Sequence, residues 1–322
     1  MKEVTIRDVA VAAGVSFATV SRVLNQHPNV SPKFRGQVLS AVRRLGYSLD
    51  DLPQHKTIAI IFNRNDFKGY FFGITDALLQ VICAKGYRME LIPEQNMELI
   101  NDRLVDGVIS LEYSNQLNHY WNKHKCNPLV CINEYSVHLD NIYSVCSNER
   151  QGLALAVACL VRHGHRRIGL VTLGDNNYCN DLREKSFLSE TAAAGLEITP
   201  CYRTSFENLP AVVDQVSQAK LTAVIGSGED TGIQLARRLN ESGYVIPRDI
   251  SLISWESDGI SPNLVPPQTT IGQNFYEIAG KALSMLEKLM RSEHQVKDCL
   301  VDYLLYERAS VTAPRHPERQ SK

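Results

Sequence analysis

Two short amphipathic patterns on either side of Gly14-Val15-Ser16 constrain this chain more than any other feature. In residues 5–24, Ile6, Val9, Ala10 and Ala13 recur at helical spacing and mark one buried face of a short helix. Thr5 stands ahead of them as an N-cap, and Asp8 three residues on completes an approximate capping box. Gly14 breaks the pattern. Ser16 then caps a second helix whose Val20, Val23 and Leu24 turn inward, which leaves Phe17, Ala18, Ser21, Arg22 and Asn25 facing out. Periodicity alone allows any small helical hairpin, or a helix-turn-helix of the kind that fits the DNA major groove.

A third helix is announced by Ser31-Pro32, with Ser as cap and Pro at the first helical position, where its missing N–H costs nothing. Val38, Val42 and Leu45 give it an apolar stripe, and Gly46 ends it. These elements make a headpiece of residues 1–47 with seven basic and two acidic residues, a net charge of +5 that leaves −6 for the remainder of the chain. A basic unit on an acidic body fits phosphate contacts made by the N-terminal unit alone. Residues 48–56 (SLDDLPQHK) read as a linker, with two aspartates and a helix-interrupting proline.

Beyond the linker the pattern alternates strand and helix. Apolar runs at 57–62, 88–92, 107–111, 129–132, 168–172, 223–225 and 251–253 read as short strands buried on both faces, with helical stretches at 73–85, 151–162 and 231–241 among them. The fold class expected is α/β: parallel sheets with helices on both sides, behind a three-helix headpiece. At 322 residues the chain is long enough for two or three compact units. It has no apolar run of membrane length and no secretory signal, so a cytoplasmic protein is expected. Its eight cysteines lack a C-x-x-C pair and read as reduced, mostly buried thiols.

Enzymatic readings find little support. Gly226-Ser227-Gly228 with Gly232 resembles a dinucleotide fingerprint, but its third glycine comes one position late and deep in the chain. No nucleophile elbow, zinc-protease helix or Walker sequence is present. His163 and His165 sit in the turn before a strand and read as structural. No metal, cofactor or catalytic residue is expected.

The segments Thr5-Ile6-Arg7-Asp8-Val9-Ala10 and Ala13-Gly14-Val15-Ser16-Phe17-Ala18-Thr19-Val20-Ser21-Arg22-Val23-Leu24-Asn25 resemble the DNA-binding headpiece of the LacI/GalR family of bacterial transcription regulators. The likeness continues in order through Val105-Asp106-Gly107-Val108-Ile109, Asn148 with Gly152, His163-Gly164-His165-Arg166-Arg167-Ile168-Gly169, Pro247-Arg248-Asp249-Ile250-Ser251-Leu252-Ile253 and Pro267-Gln268-Thr269-Thr270-Ile271. It implies a periplasmic-binding-protein-like core over 57–314, with one subdomain of roughly 57–163 and 256–296, a second of 164–255 and 297–311, and a polar tail at 315–322. The function implied is a homodimeric, sequence-specific regulator of transcription, more often a repressor in this family. It would bind a near-palindromic operator and answer to a small sugar or sugar derivative, without a membrane partner. The rival is a soluble sugar-binding or sugar-processing protein with a vestigial headpiece.

The resemblance also carries sites. DNA contacts fall on Thr5, Ser16, Phe17, Ala18, Thr19, Ser21, Arg22 and Asn25, of which Phe17, Ala18 and Arg22 are the base-reading positions. Arg22 can pair bidentately with guanine, while Phe17 and Ala18 offer apolar contact to a thymine methyl. Effector contacts fall on Asn133, Arg183, Glu229 and Trp255, with Asp66 and Phe67 after the first strand. Arg183 can fork onto vicinal hydroxyls, a carboxylate or a phosphate, Glu229 can accept from hydroxyls, and Trp255 can cover a sugar face. The chain departs from the family where Gly228-Glu229 replaces Asn-Asp, where Ser254-Trp255-Glu256-Ser257 replaces Gly-Phe-Asp-Asp, and where Asn133 replaces aspartate. The family's longer basic hinge segment is replaced by the acidic linker, in which Leu52 is the candidate for a minor-groove wedge.

Overall fold

Helix-end chemistry organises the N-terminal unit. The computed structural model describes residues 4–24, 30–47, 56–63, 69–102, 105–111, 114–124, 127–134, 142–174, 178–257, 259–293 and 297–315. Helix α1 (Ile6–Ala13) opens on a complete capping box: the Thr5 hydroxyl accepts from Asp8 N–H, and the Asp8 carboxylate accepts from Thr5 N–H at 2.8 Å. Gly14 closes it at φ 65°, a left-handed conformation that favours glycine. In front of α2 (Phe17–Leu24) the Ser16 hydroxyl accepts from Thr19 N–H at 3.1 Å. Helix α3 (Pro32–Leu45) is capped by Ser31 and closed by Gly46. The three helices bury Val9, Ala10, Ala13, Val20, Val23, Val38, Ala41 and Val42 against one another. Arg44 ties α3 to α1 through the Ala12 carbonyl at 2.8 Å. The linker at 48–55, including Leu52, lies outside the described residues.

Two six-stranded sheets form the body. The first runs β2 (Arg88–Pro93), β1 (Thr57–Phe62), β3 (Gly107–Ser110), β4 (Leu129–Ile132), β5 (Ile142–Ser147) and β11 (Cys299–Val301). The second runs β7 (Cys201–Thr204), β6 (Ile168–Leu173), β8 (Ala223–Ser227), β9 (Ser251–Trp255), β10 (Thr269–Gly272) and β12 (Leu304–Tyr306). β1 pairs in parallel with β2 and β3, and β6 does the same with β7 and β8. β12 joins β10 antiparallel. Central strands β3, β4, β8 and β9 are buried along their whole length, whereas the edge strands β2 and β7 are only partly covered.

By packing, the chain falls into two units. One is Met1–Asp66, Leu78–Ser144 and Gly280–Lys297; the other is Phe67–Ala77, Val145–Ala279 and Asp298–Lys322. In the first, Ala59, Ile61, Val108, Leu117, Trp121 and Leu129 form the centre of an apolar cluster. In the second, one cluster gathers around Leu153, Leu160, Phe187, Ile225 and Trp255, and another around Val213, Val224, Leu235 and Leu252.

The glycines that resembled a nucleotide fingerprint have a packing role. A Cβ on Gly226 would meet the Gly232 backbone at 3.0 Å, and one on Gly232 would overlap the Ser254 side chain. The pair lets α10 (Glu229–Glu241) lie close on β8 and β9. Of the seven described cysteines, all are free thiols: Cys131, Cys146 and Cys159 are buried, Cys179, Cys201 and Cys299 half-buried, and Cys83 exposed. The expectation of mostly buried thiols is thus met by three of them and corrected by Cys83, which lies near the C-terminal end of α4 (Tyr70–Ala84).

His165 is a fully paired core residue. Its Nε2 donates to the Thr312 carbonyl at 2.8 Å and lies 3.0 Å from Ser251 Oγ, and its Nδ1 meets the Thr222 hydroxyl at 2.9 Å. Burial, the largest influence, holds its pKa below the ordinary 6.5. The unfolded chain therefore takes up a proton that the folded chain resists, so this contribution to stability is present above the unfolded pKa and lost as pH falls below it. His165→Gln should flatten the fall in melting temperature between about pH 7 and 5; an acid limb as steep as the wild type's would refute the assignment.

Candidate functional site

Of the residues expected to face DNA, Thr5 caps α1, Ser16 precedes α2, and Phe17, Ala18, Thr19, Ser21 and Arg22 lie along α2. Thr5 and Ser16 are exposed, and Phe17, Ala18, Thr19, Ser21 and Arg22 are half-buried. Ser16 and Thr19 hydrogen-bond each other through their hydroxyls at 2.9 Å. Arg22 does not simply face solvent: its Nη2 donates to Asn127 Oδ1 at 3.1 Å, and Asn127 is oriented by donating its own amide to the Val105 carbonyl at 2.8 Å. Asn25 lies outside the described residues.

A second site is built inside the other unit, at the carboxyl ends of the second sheet. Because β6 has β7 on one side and β8 on the other, the chain reverses its direction of travel there, and such a reversal opens a crevice beyond the strand ends. Ser227 ends β8 and Trp255 ends β9. Helix α8 (Tyr178–Ala193), which follows β6, carries Arg183 toward them. Helix α7 (Glu149–Arg162) begins directly after its N-cap Asn148, so Glu149 occupies the first helical position, where the helix dipole favours a carboxylate.

These side chains form one network. Arg183 pairs with Glu149 through two bonds, Nε to Oε2 at 2.9 Å and Nη2 to Oε1 at 3.1 Å. Glu149 is 0% and Arg183 14% exposed at the side chain, so the pair is nearly dry. Tyr303 donates its hydroxyl to Glu149 Oε1 at 2.8 Å, and the Cys179 thiol points at the same oxygen from 3.8 Å. The Tyr303 oxygen accepts from Trp255 Nε1 at 3.4 Å and Gln273 Nε2 at 3.2 Å. Arg183 Nη1 reaches Ser227 Oγ at 3.4 Å, and the guanidinium lies 4.9 Å from the centre of the Trp255 ring. Burial is the largest single influence and works against the Arg183 charge, but the Glu149 charge and hydrogen bonds, with Cys179 and Tyr303, together outweigh it and lift the pKa well above the ordinary value. Burial and then Glu149 raise Tyr303 likewise, so the phenol stays protonated and remains a donor.

Arg183 and Trp255 are thus brought together, with Trp255 5% exposed and covered on one face by the guanidinium. Asn133 follows β4 in the first unit, at a positive φ of 56° that asparagine tolerates better than most residues. Glu229 opens α10 just past Ser227; its side chain, like all of Asp66 and Phe67, lies outside what is described. Glu149 and Tyr303 were missed in the sequence. The usable signal was the spacing of Asn148 and Gly152: a Cβ on Gly152 would stand 2.8 Å from the Tyr303 ring, so this glycine makes room for the tyrosine.

Among the described residues, Cys159, His163 and Glu307 place potential metal-ligand atoms within 4.8 Å of one another. A cation already serves them. The Arg162 guanidinium is salt-bridged to Glu307 and lies 3.9 Å from the Cys159 sulfur, while His163 Nδ1 bonds the Cys159 carbonyl at 2.9 Å.

A three-helix headpiece followed by two parallel-sheet subdomains defines a helix-turn-helix protein with a periplasmic-binding-like core. Comparison agrees on both parts. Residues 5–50 match the family described as bacterial regulatory proteins, lacI family, and residues 157–311 match the periplasmic binding protein-like domain. The chain belongs to the LacI/GalR family of bacterial transcription regulators and is a DNA-binding regulator.

Catabolite control protein A of Priestia megaterium is 27% identical over 312 residues, covering 90% of this chain and 93% of that protein. The HTH-type transcriptional repressor PurR of Mannheimia succiniciproducens is 27% identical over 309 residues, covering 88% and 90%. The Lac repressor dimer bound to operator and the anti-inducer ONPF shares the fold at TM-score 0.70 and 21% identity, over 97% of this chain and 100% of that one. The transcriptional regulator CelR in complex with cellobiose does so at TM-score 0.68 and 22% identity, over 96% and 100%. Among the described residues no helix is long and apolar enough to cross a membrane.

Tyr303→Phe removes one donor from a buried carboxylate. It should lower stability by about 1–3 kcal/mol in urea unfolding followed by circular dichroism; an unchanged midpoint would mean that Glu149 does not depend on this hydroxyl.

Proposed function

We propose that this chain is a homodimeric repressor of transcription that acts in the cytoplasm, binds a near-palindromic operator through two headpieces, and changes its operator affinity when a small sugar-like effector occupies the core. The observation that carries the reading is the union, in one chain, of a lacI-type headpiece with a periplasmic-binding-like domain. A single headpiece makes few base contacts, and two copies on a two-fold core supply enough for selection. Relatives of the same fold include a dimer bound to operator and regulators bound to cellobiose and to ribose. Coupling requires that effector and operator favour different arrangements of the core.

The division of labour follows the expected boundaries: residues 1–47 read DNA, 48–56 connect, and 57–314 bind the effector and dimerise. Within the core, the subdomains expected at roughly 57–163 with 256–296 and 164–255 with 297–311 are redrawn by packing, which gives 145–163 and 256–279 to the second unit, because α7 and β10 pack there; a tail follows at 315–322. Thr5, Ser16, Phe17, Ala18, Thr19, Ser21, Arg22 and Asn25 meet the operator. Arg183, Glu229, Trp255, Asn133, Asp66 and Phe67 serve the effector. The chain is not an enzyme, and its relatives are transcription regulators. A vestigial headpiece is disfavoured by its intact apolar core and its capped helices, which a sequence freed from DNA binding has no reason to keep.

Footprinting on the regions flanking the gene tests the reading. A protected near-palindrome at moderate salt is expected, and its absence would sink the proposal. Arg22→Ala should weaken operator binding by about 1–3 kcal/mol and relax the preference at one base position, whereas loss of a phosphate contact such as Arg35 weakens all sequences alike. Equal losses on specific and random DNA after the Arg22 change would remove its reading role.

Arg183→Lys keeps a charge for Glu149 but loses the planar fork. It should leave operator binding intact and weaken the effector response by ~10-fold or more in gel-shift titrations with the inducing sugar. An unchanged titration would return Arg183 to a purely structural role.

A further inference from the structure

We infer that the effector taken by the Arg183 centre is an electrically neutral polyhydroxyl compound, and that Glu149 is the residue that turns away anionic counterparts such as sugar acids and sugar phosphates. The inference rests on the effector reading above and extends it to the charge of the ligand.

A nearly dry arginine at the carboxyl ends of a parallel sheet would ordinarily be a strong trap for carboxylate or phosphate, because its planar fork matches both. In this chain that capacity is already spent. Glu149 takes the edge formed by Nε and Nη2, at 2.9 and 3.1 Å. The carboxylate cannot easily be displaced: it is fully buried, sits at the start of α7, and accepts from Tyr303 as well. To an incoming group the centre therefore presents a neutral ion pair, whose field falls away much faster than that of a lone cation. An anion would have to give up its water, meet the fixed negative charge of Glu149 behind the guanidinium, and receive no net monopole attraction in return.

A hydroxyl asks less. A guanidinium has five N–H hydrogens. Glu149 takes two and Ser227 one, which leaves one on each terminal nitrogen. Donors left on both terminal nitrogens suit the oxygens of a vicinal diol, and the Arg183 side chain retains 14% exposure. The Trp255 ring beneath the guanidinium stabilises the Arg183 charge through its face, 4.9 Å away, and adds no charge of its own. What the centre offers a ligand is thus hydrogen-bond donors rather than a net charge.

The test is a thermal-shift and calorimetric comparison on the full-length chain with matched probes: glucose, ribose and cellobiose against gluconate, glucose 6-phosphate and ribose 5-phosphate. Wild type should respond to at least one neutral probe, and should bind the anionic form of the same sugar at least ~10-fold more weakly. Glu149→Gln keeps an oxygen for Arg183 but removes the charge, so it should gain at least ~10-fold in affinity for the anionic probes while losing selectivity for the neutral ones. Wild type that prefers an anionic probe to its neutral partner would overturn the role given to Glu149 and leave the effector reading standing. Folded Glu149→Gln protein with no gain for anions would overturn it too. Silence of wild type toward all six probes would count instead against the effector reading itself. Should the variant fail to fold, the wild-type comparison decides alone.

Discussion

The buried ion pair of Glu149 and Arg183 is the interaction on which the second unit's functional end depends. Taking two charges out of water costs several kcal/mol for each, and their attraction repays this only when the geometry is good and the remaining lone pairs are satisfied. Both conditions hold here. The contact is bidentate, Tyr303 supplies a further donor, and the helix N-terminus of α7 adds a favourable potential. The pair therefore holds α7, α8 and the segment before β12 at one point. Removing a partner would leave an uncompensated charge in the interior, which is why a conservative change at Arg183 separates binding from stability better than truncation does.

Parallel strands make this arrangement possible. Strand ends on one side of the sheet deliver Ser227 and Trp255 to the same edge, and the helices that follow β5 and β6 bring Glu149 and Arg183 there from different parts of the chain. Close approach of helix to sheet is needed for the side chains to meet. Gly226 and Gly232 provide it under α10, and Gly152 does so where α7 passes Tyr303. What looks like a phosphate-binding glycine pattern in the sequence is a set of contacts where any Cβ would collide.

Much of the fold was legible because its signals are local. Thr5, Asp8, Gly14, Ser31 and Gly46 fix helix ends through bonds made within a few residues, and the central strands are short apolar runs with no polar face to blur them. The edge strand β7 escaped notice because its partial burial leaves no run of apolar residues. Helix α8 escaped because its sequence mixes charged and apolar residues without a clear stripe, its burial being set by Asn180, Ser186, Phe187 and Thr191. The candidate site was half legible. Arg183 and Trp255 were found by likeness, but Glu149 and Tyr303 act through partners 34 and 154 residues away along the chain, and no local pattern reports such a pairing.

Arg22, in the first unit, likewise depends on a partner distant along the chain. Sequence periodicity turns it outward, and the structure gives it a neutral acceptor on Asn127, 105 positions away, at the base of β4. A hydrogen bond to an amide side chain at a half-buried site is worth roughly 1–3 kcal/mol for a charged donor. A bidentate pair with guanine, the role proposed for Arg22, uses two N–H donors on one edge of the guanidinium. Asn127 engages one of the five N–H donors of the guanidinium, on Nη2. The Asn127 amide is in turn held by the Val105 carbonyl, so the acceptor that orients Arg22 is itself fixed to the segment ahead of β3.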